Sequence, residues 1–346
     1  MRLWKKILIG IGAIILVVAV TIVGVRTYNY QHYFSTDTGP NSARLNIDFR
    51  DADAYPLDRI DGVTITPVTG EHMAGFHFKP EKRTRKGILV SYGGSEGGVG
   101  WPGATLAAKA GQESLALFFW GQPNQTATLD EVPLEDFQEV IDWIDANAES
   151  PEPLIAAGGS KGAEYVANLL PRYDRIDHAI LIAPASHSFP ALSQHIEHSS
   201  WTWGGKPVPN ISWEDGGSEA MNLFYSEVWK FWVNLPVAFE PSYSQLLNHA
   251  PDETRIHIED SQATIHAFAG DDDNVWPSAE MANRLKAADP DRVTVTVYPK
   301  VGHMPGAPQY IGGLNLGGTN ETNFAAEEPF NAAYTKQLEE WAPLEE

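Results

Sequence analysis

The chain predicts an α/β fold, a mostly parallel sheet covered by helices and preceded by one membrane-spanning helix. Three observations carry this. Short runs rich in Ile, Leu, Val and Ala alternate with segments of helical spacing. One run leads straight into Gly158-Gly159-Ser160-Lys161-Gly162, a lone serine among glycines at a strand-to-helix junction. An aspartate and a histidine follow, each just past the end of a later strand.

The elements follow in chain order. From Ile7 to Val25 every residue is Ile, Leu, Val, Ala or Gly except Thr21. As a helix this run covers about 28 Å, close to the ~30 Å of bilayer hydrocarbon. Arg2, Lys5 and Lys6 precede it, so residues 1–6 are expected in the cytoplasm and the rest of the chain outside. The competing reading is a cleaved signal peptide, which would make the protein secreted. The run is longer than a usual signal core, and no clear A-x-A site follows it. Residues 26–45 are polar and turn-rich, a tether; residues 46–346 are expected to form the catalytic domain.

"VTITPV" (63–68) and "HMAGFHF" (72–78) form a hairpin around "TGE". "GILVSY" (87–92) and "SLALFFW" (114–120) read as buried strands, with a small-residue helix, "GATLAAKAGQ", between them. In "PLEDFQEVIDWIDANA", Leu134, Phe137, Val140, Ile141 and Ile144 repeat at helical spacing, with Pro133 suited to the first turn. "HAILIAPAS" (178–186), "ATIHAFAG" (263–270) and "RVTVTVYP" (292–299) are further strands. Residues 187–250 interrupt the rhythm. They hold Trp201, Trp203, Trp213, Trp229 and Trp232 of the chain's 11 tryptophans, a cap over a site or additional core.

Composition removes several function classes. The net charge of −21 opposes nucleic-acid binding, which needs clustered cations. With no cysteine there is no disulfide, thiolate metal site or cysteine nucleophile, and every redox compartment is open. No H-E-x-x-H or related spacing marks a metal, and no Walker pattern marks a phosphate loop. No metal or cofactor is expected.

Ser160 is the candidate nucleophile. Buried strand, tight turn and the helix "KGAEYVANLL" are the setting a nucleophile elbow requires, and the flanking glycines make room for its strained backbone. A serine hydroxyl needs a base, and the base needs an orienting acid. "DDDNVWPS" offers Asp273, with Asp271 and Asp272 as alternatives; "KVGHMPG" offers His303 among 11 histidines that include His187, His249 and His266. The order Ser, Asp, His is that of an α/β-hydrolase. The amides of Lys161 and of Gly94, in "SYGGSEGG", are the candidate oxyanion donors. Trp201 and Trp203 are candidates for shaping an apolar acyl pocket.

"GGSKGAEYVANLLPRYDRIDHAILIAPAS", "SYSQLLNHAPDETRIHIED", "GDDDNVWPSAEMANRL", "YPKVGHMPGAPQY" and "GGTNETNFAAEEPFNAAYTKQLEEW" resemble the C-terminal catalytic domain of the acyl-CoA thioesterase and bile acid-CoA:amino acid N-acyltransferase family. The likeness runs from about residue 85 to the end. It implies an α/β-hydrolase with Ser160, Asp273 and His303 as triad. That family uses serine in thioesterases and cysteine in transferases, so Ser160 favours hydrolysis of a small-molecule acyl ester or thioester. The family's well-known members carry a β-sandwich before this domain, and the stretch ahead of "GILVSY" is too short for one. An external domain would also not ordinarily meet acyl-CoA, a cytoplasmic metabolite. The remaining alternatives are an acyltransferase with a non-water acceptor and a catalytically inactive binding module.

Overall fold

A computed structural model describes residues 3–34, 47–58 and 60–344. Most of the tether, from residue 35 onward, therefore lies outside the described residues. The main sheet has eight strands: β1 (Val63–Thr69), β2 (Ala74–Pro80), β3 (Ile88–Tyr92), β4 (Glu113–Phe118), β5 (Leu154–Gly159), β6 (His178–Ile182), β7 (Thr264–Gly270) and β8 (Val293–Tyr298). Their spatial order is β1-β2-β4-β3-β5-β6-β7-β8. Only the β1–β2 and β2–β4 pairings are antiparallel. From β4 to β8 every pair is parallel, as strand–helix alternation demands. Every residue of β3, β4 and β5 is buried, which is why they read as unbroken apolar runs rather than alternating ones.

The helices are α1 (Leu3–Tyr33), α2 (Trp101–Lys109), α3 (Phe137–Asn147), α4 (Lys161–Leu169), α5 (Gly217–Val228), α6 (Glu240–Asn248), α7 (Ser278–Ala288), α8 (Asn320–Ala325) and α9 (Glu327–Trp341). One core lies under α3 and α4 and includes Ile88, Val90, Phe137, Ile144 and Val166. Another packs Phe330, Tyr334 and Leu338 of α9 against Leu89, Ile155 and Phe268. All five apolar positions expected to face inward from the α3 segment are buried, with a 3₁₀ turn at Leu134–Asp136 leading in.

One difference from the sequence reading concerns α1. The apolar helix does not stop at Val25 but runs through the first part of the stretch read as tether, to Tyr33. Its final turns have something to pack on, and backbone bonding continues with Phe34 N–H donating to the Tyr30 carbonyl at 3.1 Å. Helix α4 is buried on every side. Its second face is covered by the segment 187–203, part of the long insertion between β6 and β7. That insertion holds the short strand Trp201–Trp203, α5, a 3₁₀ turn at Trp229–Val233 and α6. Phe189, Trp213, Tyr243 and Leu246 give it a core of its own, joined by Trp276.

Candidate active site

Ser160 sits between β5 and α4 with φ 54° and ψ −123°, the left-handed region that L-residues avoid. Three backbone bonds fix it there. Its N–H donates to the Ile182 carbonyl at 2.8 Å, and its carbonyl accepts from Ala163 and Glu164 at 2.9 and 3.1 Å. The neighbouring glycines are sterically required. A Cβ on Gly162 would run into the Gly93 carbonyl oxygen, and one on Gly158 into Gly162. So the elbow is held by its surroundings in a conformation it would not choose.

Of the three aspartates after β7, Asp271 and Asp272 are exposed and Asp273 is buried. Asp273 Oδ2 lies 2.8 Å from His303 Nδ1 and accepts from Ser278 Oγ at 2.6 Å. Its other oxygen accepts from the amides of Val275 and Trp276 at 2.8 and 3.3 Å. Four groups thus hold the carboxylate in one orientation, aimed at one imidazole nitrogen. His303 is buried too, its amide donating to the Leu316 carbonyl at 2.7 Å. The Trp276 ring meets it edge-on at 5.9 Å. The histidine loop lies against the elbow: a Cβ on Gly159 would sit 3.2 Å from Met304 Cε.

Lys161 heads α4, where the first amides of a helix have no acceptor within it. Gly94 is also adjacent, since a Cβ there would lie 3.2 Å from Ser160 Cβ. However, the Gly94 amide already donates to Glu96 Oε1 at 2.9 Å. That occupant is not foreseeable from "GGSEGG", which fixes the glycines but not where the glutamate folds.

The two tryptophans read as candidates for an acyl pocket both lie against α4 and the turn that follows it. Trp201 is fully buried, with its indole N–H donating to Glu164 Oε1 at 2.8 Å. Trp203 packs edge-on against Tyr173 at 5.7 Å, with Arg172 over its ring, at the far end of α4. Trp201 is buried there, and Trp203 is 39% exposed.

Sequence reasoning missed the buried ion pair inside α4. Lys161 Nζ lies 2.8 Å from Glu164 Oε2 and 2.8 Å from Ser200 Oγ, and donates to the Phe189 and Pro190 carbonyls at 3.3 Å. Glu164 also accepts from the Phe189 amide at 2.9 Å. Burial lowers the lysine pKa and raises that of the glutamate, each opposed by its partner. The available signal was a Lys and Glu three apart on a helix too apolar for a solvated charged face.

One cluster has a metal-compatible donor set. His195 Nδ1 and His198 Nδ1 lie 2.9 and 3.1 Å from the two oxygens of Asp130. The three residues satisfy one another by hydrogen bonding, and no step of the chemistry below uses them.

Residues 132–311 match the family described as BAAT / Acyl-CoA thioester hydrolase C terminal, just over half of the chain. The chain belongs to this family. It is similar to acyl-coenzyme A thioesterase 5 of Mus musculus, with 24% identity over 260 residues covering 70% of this chain and 54% of that protein. Acyl-coenzyme A thioesterase 1 of Rattus norvegicus is 24% identical over 302 residues, covering 82% and 64%. The chain thus spans between about half and two-thirds of these relatives' lengths. Among solved structures, EstE5 soaked with p-nitrophenyl butyrate superposes with a TM-score of 0.50, covering 92% of this chain and 98% of that one at 13% identity. That likeness places the chain in the α/β-hydrolase fold.

Proposed function

We propose that the protein is a membrane-anchored serine hydrolase that cleaves an acyl ester or thioester through an acyl-enzyme on Ser160. The observation that carries this reading is the buried Asp273–His303 pair beside a serine held at φ 54°. His303 takes the Ser160 proton on Nε2 as Oγ attacks the carbonyl carbon, then returns it to the leaving group. Asp273, on Nδ1, keeps the ring in the tautomer that leaves Nε2 free to accept, and stabilises the imidazolium. The tetrahedral oxyanion takes the Lys161 amide and the Gly94 amide, the second once Glu96 gives it up. Water, activated by His303 in the same way, then releases the acid.

In this reading residues 7–25 span the bilayer, residues 1–6 stay in the cytoplasm and the domain from 46 onward lies outside. Support comes from a helix with a hydropathy of 3.0 and none of its apolar window buried in the protein. The relatives' names point to acyl-CoA thioesters, and the external placement points to oxygen esters. Full-length protein in detergent, with Ser160→Ala as control, decides by comparing a long-chain acyl-CoA with an oxygen ester of the same acid. Hydrolysis of either that Ser160→Ala abolishes upholds the serine mechanism. Turnover surviving in Ser160→Ala, or absent from the wild type, overturns it.

A further inference from the structure

We infer that the aromatic edge of the β6–β7 insertion seats in the bilayer interface beside the anchor, so that the site draws acyl lipids from the membrane rather than soluble esters. The inference rests on the proposed anchor and hydrolase chemistry and names the substrate source for that site.

Arg26 immediately follows the last residue of the apolar run, so its backbone marks the edge of the hydrocarbon. Its carbonyl accepts from Asn234 Nδ2 at 3.1 Å. One turn on, Asn29 Nδ2 donates to the Val233 carbonyl at 2.8 Å, and Asn29 is only 5% exposed. The 3₁₀ turn Trp229–Val233 is therefore pinned at that depth. The end of α1 is fastened a second time, by Tyr33 edge-on to Tyr310 at 5.0 Å and by the Phe34 ring against Gly313. A domain held this way rests on the membrane instead of swinging on a tether.

The pinned turn carries the wrong surface for water. Tyr225, Trp229 and Trp232 fall at i, i+4 and i+7, one face of the ribbon formed by α5 and the turn. They are 58%, 52% and 74% exposed, and Phe231 adds 41%. The opposite face, with Ala220 and Phe224, packs into the insertion's own core. Trp and Tyr at a fixed, shallow depth are what the bilayer interface accommodates, where the ring is half in apolar surroundings and the N–H or O–H stays wet. The charges on this edge do not oppose it. Lys230 is paired with both oxygens of Glu227 at 2.6 Å. Seating by aromatic rings also suits a chain of net charge −21, which anionic lipid would repel.

The same edge adjoins the histidine loop. Val237, three residues past the Asn234 contact, exchanges backbone bonds of 2.9 and 2.8 Å with Gly313 and Asn315. The next residue, Leu316, accepts the His303 amide. Lipid ester carbonyls lie at the depth where this edge is pinned, so an acyl chain can leave the bilayer along it toward His303.

The test uses the full chain in phosphatidylcholine vesicles with brominated acyl chains, beside a W229S/W232S double variant that leaves the catalytic residues untouched. Both proteins should float with the vesicles. The wild type should show an additional quenched tryptophan fraction that the variant lacks, unchanged by added salt. The variant should lose about fivefold or more of kcat/KM on a vesicle-borne long-chain ester, with p-nitrophenyl butyrate turnover unchanged. Flotation with equal quenching overturns the seated edge. Quenching as expected with equal activity on the vesicle ester overturns lipid delivery. Failure to float overturns the anchor and the edge together, whereas inactivity on both esters with normal quenching removes the hydrolase reading and leaves the edge standing.

Discussion

Ser160 stores strain that the surrounding backbone enforces. At φ 54° a residue with a Cβ sits about 1–3 kcal/mol above its relaxed state, and glycine does not. Ser160→Ala keeps the Cβ, so it should leave stability within about 0.5 kcal/mol while removing turnover. Ser160→Gly should also be inactive but more stable by about 1 kcal/mol, read from the urea midpoint at constant slope. A glycine variant no more stable than the alanine variant would mean the elbow is unstrained. Asp273 gives the second prediction at this scale. Asn in its place keeps the shape, but the Val275 and Trp276 amides hold its carbonyl oxygen, so its amide N–H faces Nδ1 and selects the wrong tautomer. Turnover should fall about 10⁴-fold. Ser278→Ala removes one of the four groups holding that carboxylate and should cost far less, about tenfold. Equal losses for both would show that the hydroxyl, not the charge, orients His303.

Helix α4 joins the elbow to the insertion, and the Lys161–Glu164 pair is the join. Removing one partner leaves the other charge buried without compensation, so Lys161→Met should destabilise by about 3–5 kcal/mol. Replacing both, as in K161M/E164L, removes the charges together and should cost less than the sum of the single changes, with a coupling above about 1 kcal/mol. It will not reach zero, because the Phe189 amide and the Trp201 indole lose their acceptor. Additive costs would place the two side chains in independent roles. The contrast between this join and the strands explains what the sequence disclosed. Strands such as 88–92 and 154–159 declare themselves because burial on both faces demands unbroken apolar runs. The members of the proposed triad stood out because Ser160, Asp273 and His303 each follow a strand end, and burial is what sets Asp273 apart from Asp271 and Asp272. The places of Trp201, Trp203 and Glu96 were not legible. Each depends on which partner the tertiary fold supplies, and local spacing carries no record of that.

At the scale of the whole molecule the least legible contacts join segments 204 and 208 residues apart, the Asn29 and Asn234 bonds that fasten the end of α1 to the insertion. Neither asparagine is marked by its neighbours, since a polar residue past an apolar run reads equally well as solvated. A second global property is the response to acid. His178, His187 and His266 all have pKa values lowered mainly by burial. The largest shift belongs to His187, pushed down to about 4 by burial and then by Arg284 and Arg255, with Asp252 opposing. Those arginines line the same cleft, and each is also engaged by a carboxylate: Arg255 by Glu259, Arg284 by Glu280. His187 lies where residues 186–188 bond to 254–256, closing the insertion at its base. The unfolded chain takes a proton on this imidazole near pH 6.5, which the folded chain refuses until about pH 4. The unfolded state therefore binds more protons between those values. The stability His187 supplies is complete above pH 6.5 and is lost progressively as pH falls toward 4. Its ceiling is about 3 kcal/mol, at 1.36 kcal/mol per pH unit. Carboxylates titrate in the lower part of this window, so the informative quantity is a difference. Urea unfolding of wild type and His187→Gln, followed from pH 7.5 to 4.5, should give wild-type stability falling more steeply, by about 2 kcal/mol over the range. Parallel curves would mean that His187 takes its proton inside the folded protein, and that the closure at the base of the insertion opens to water before the molecule unfolds.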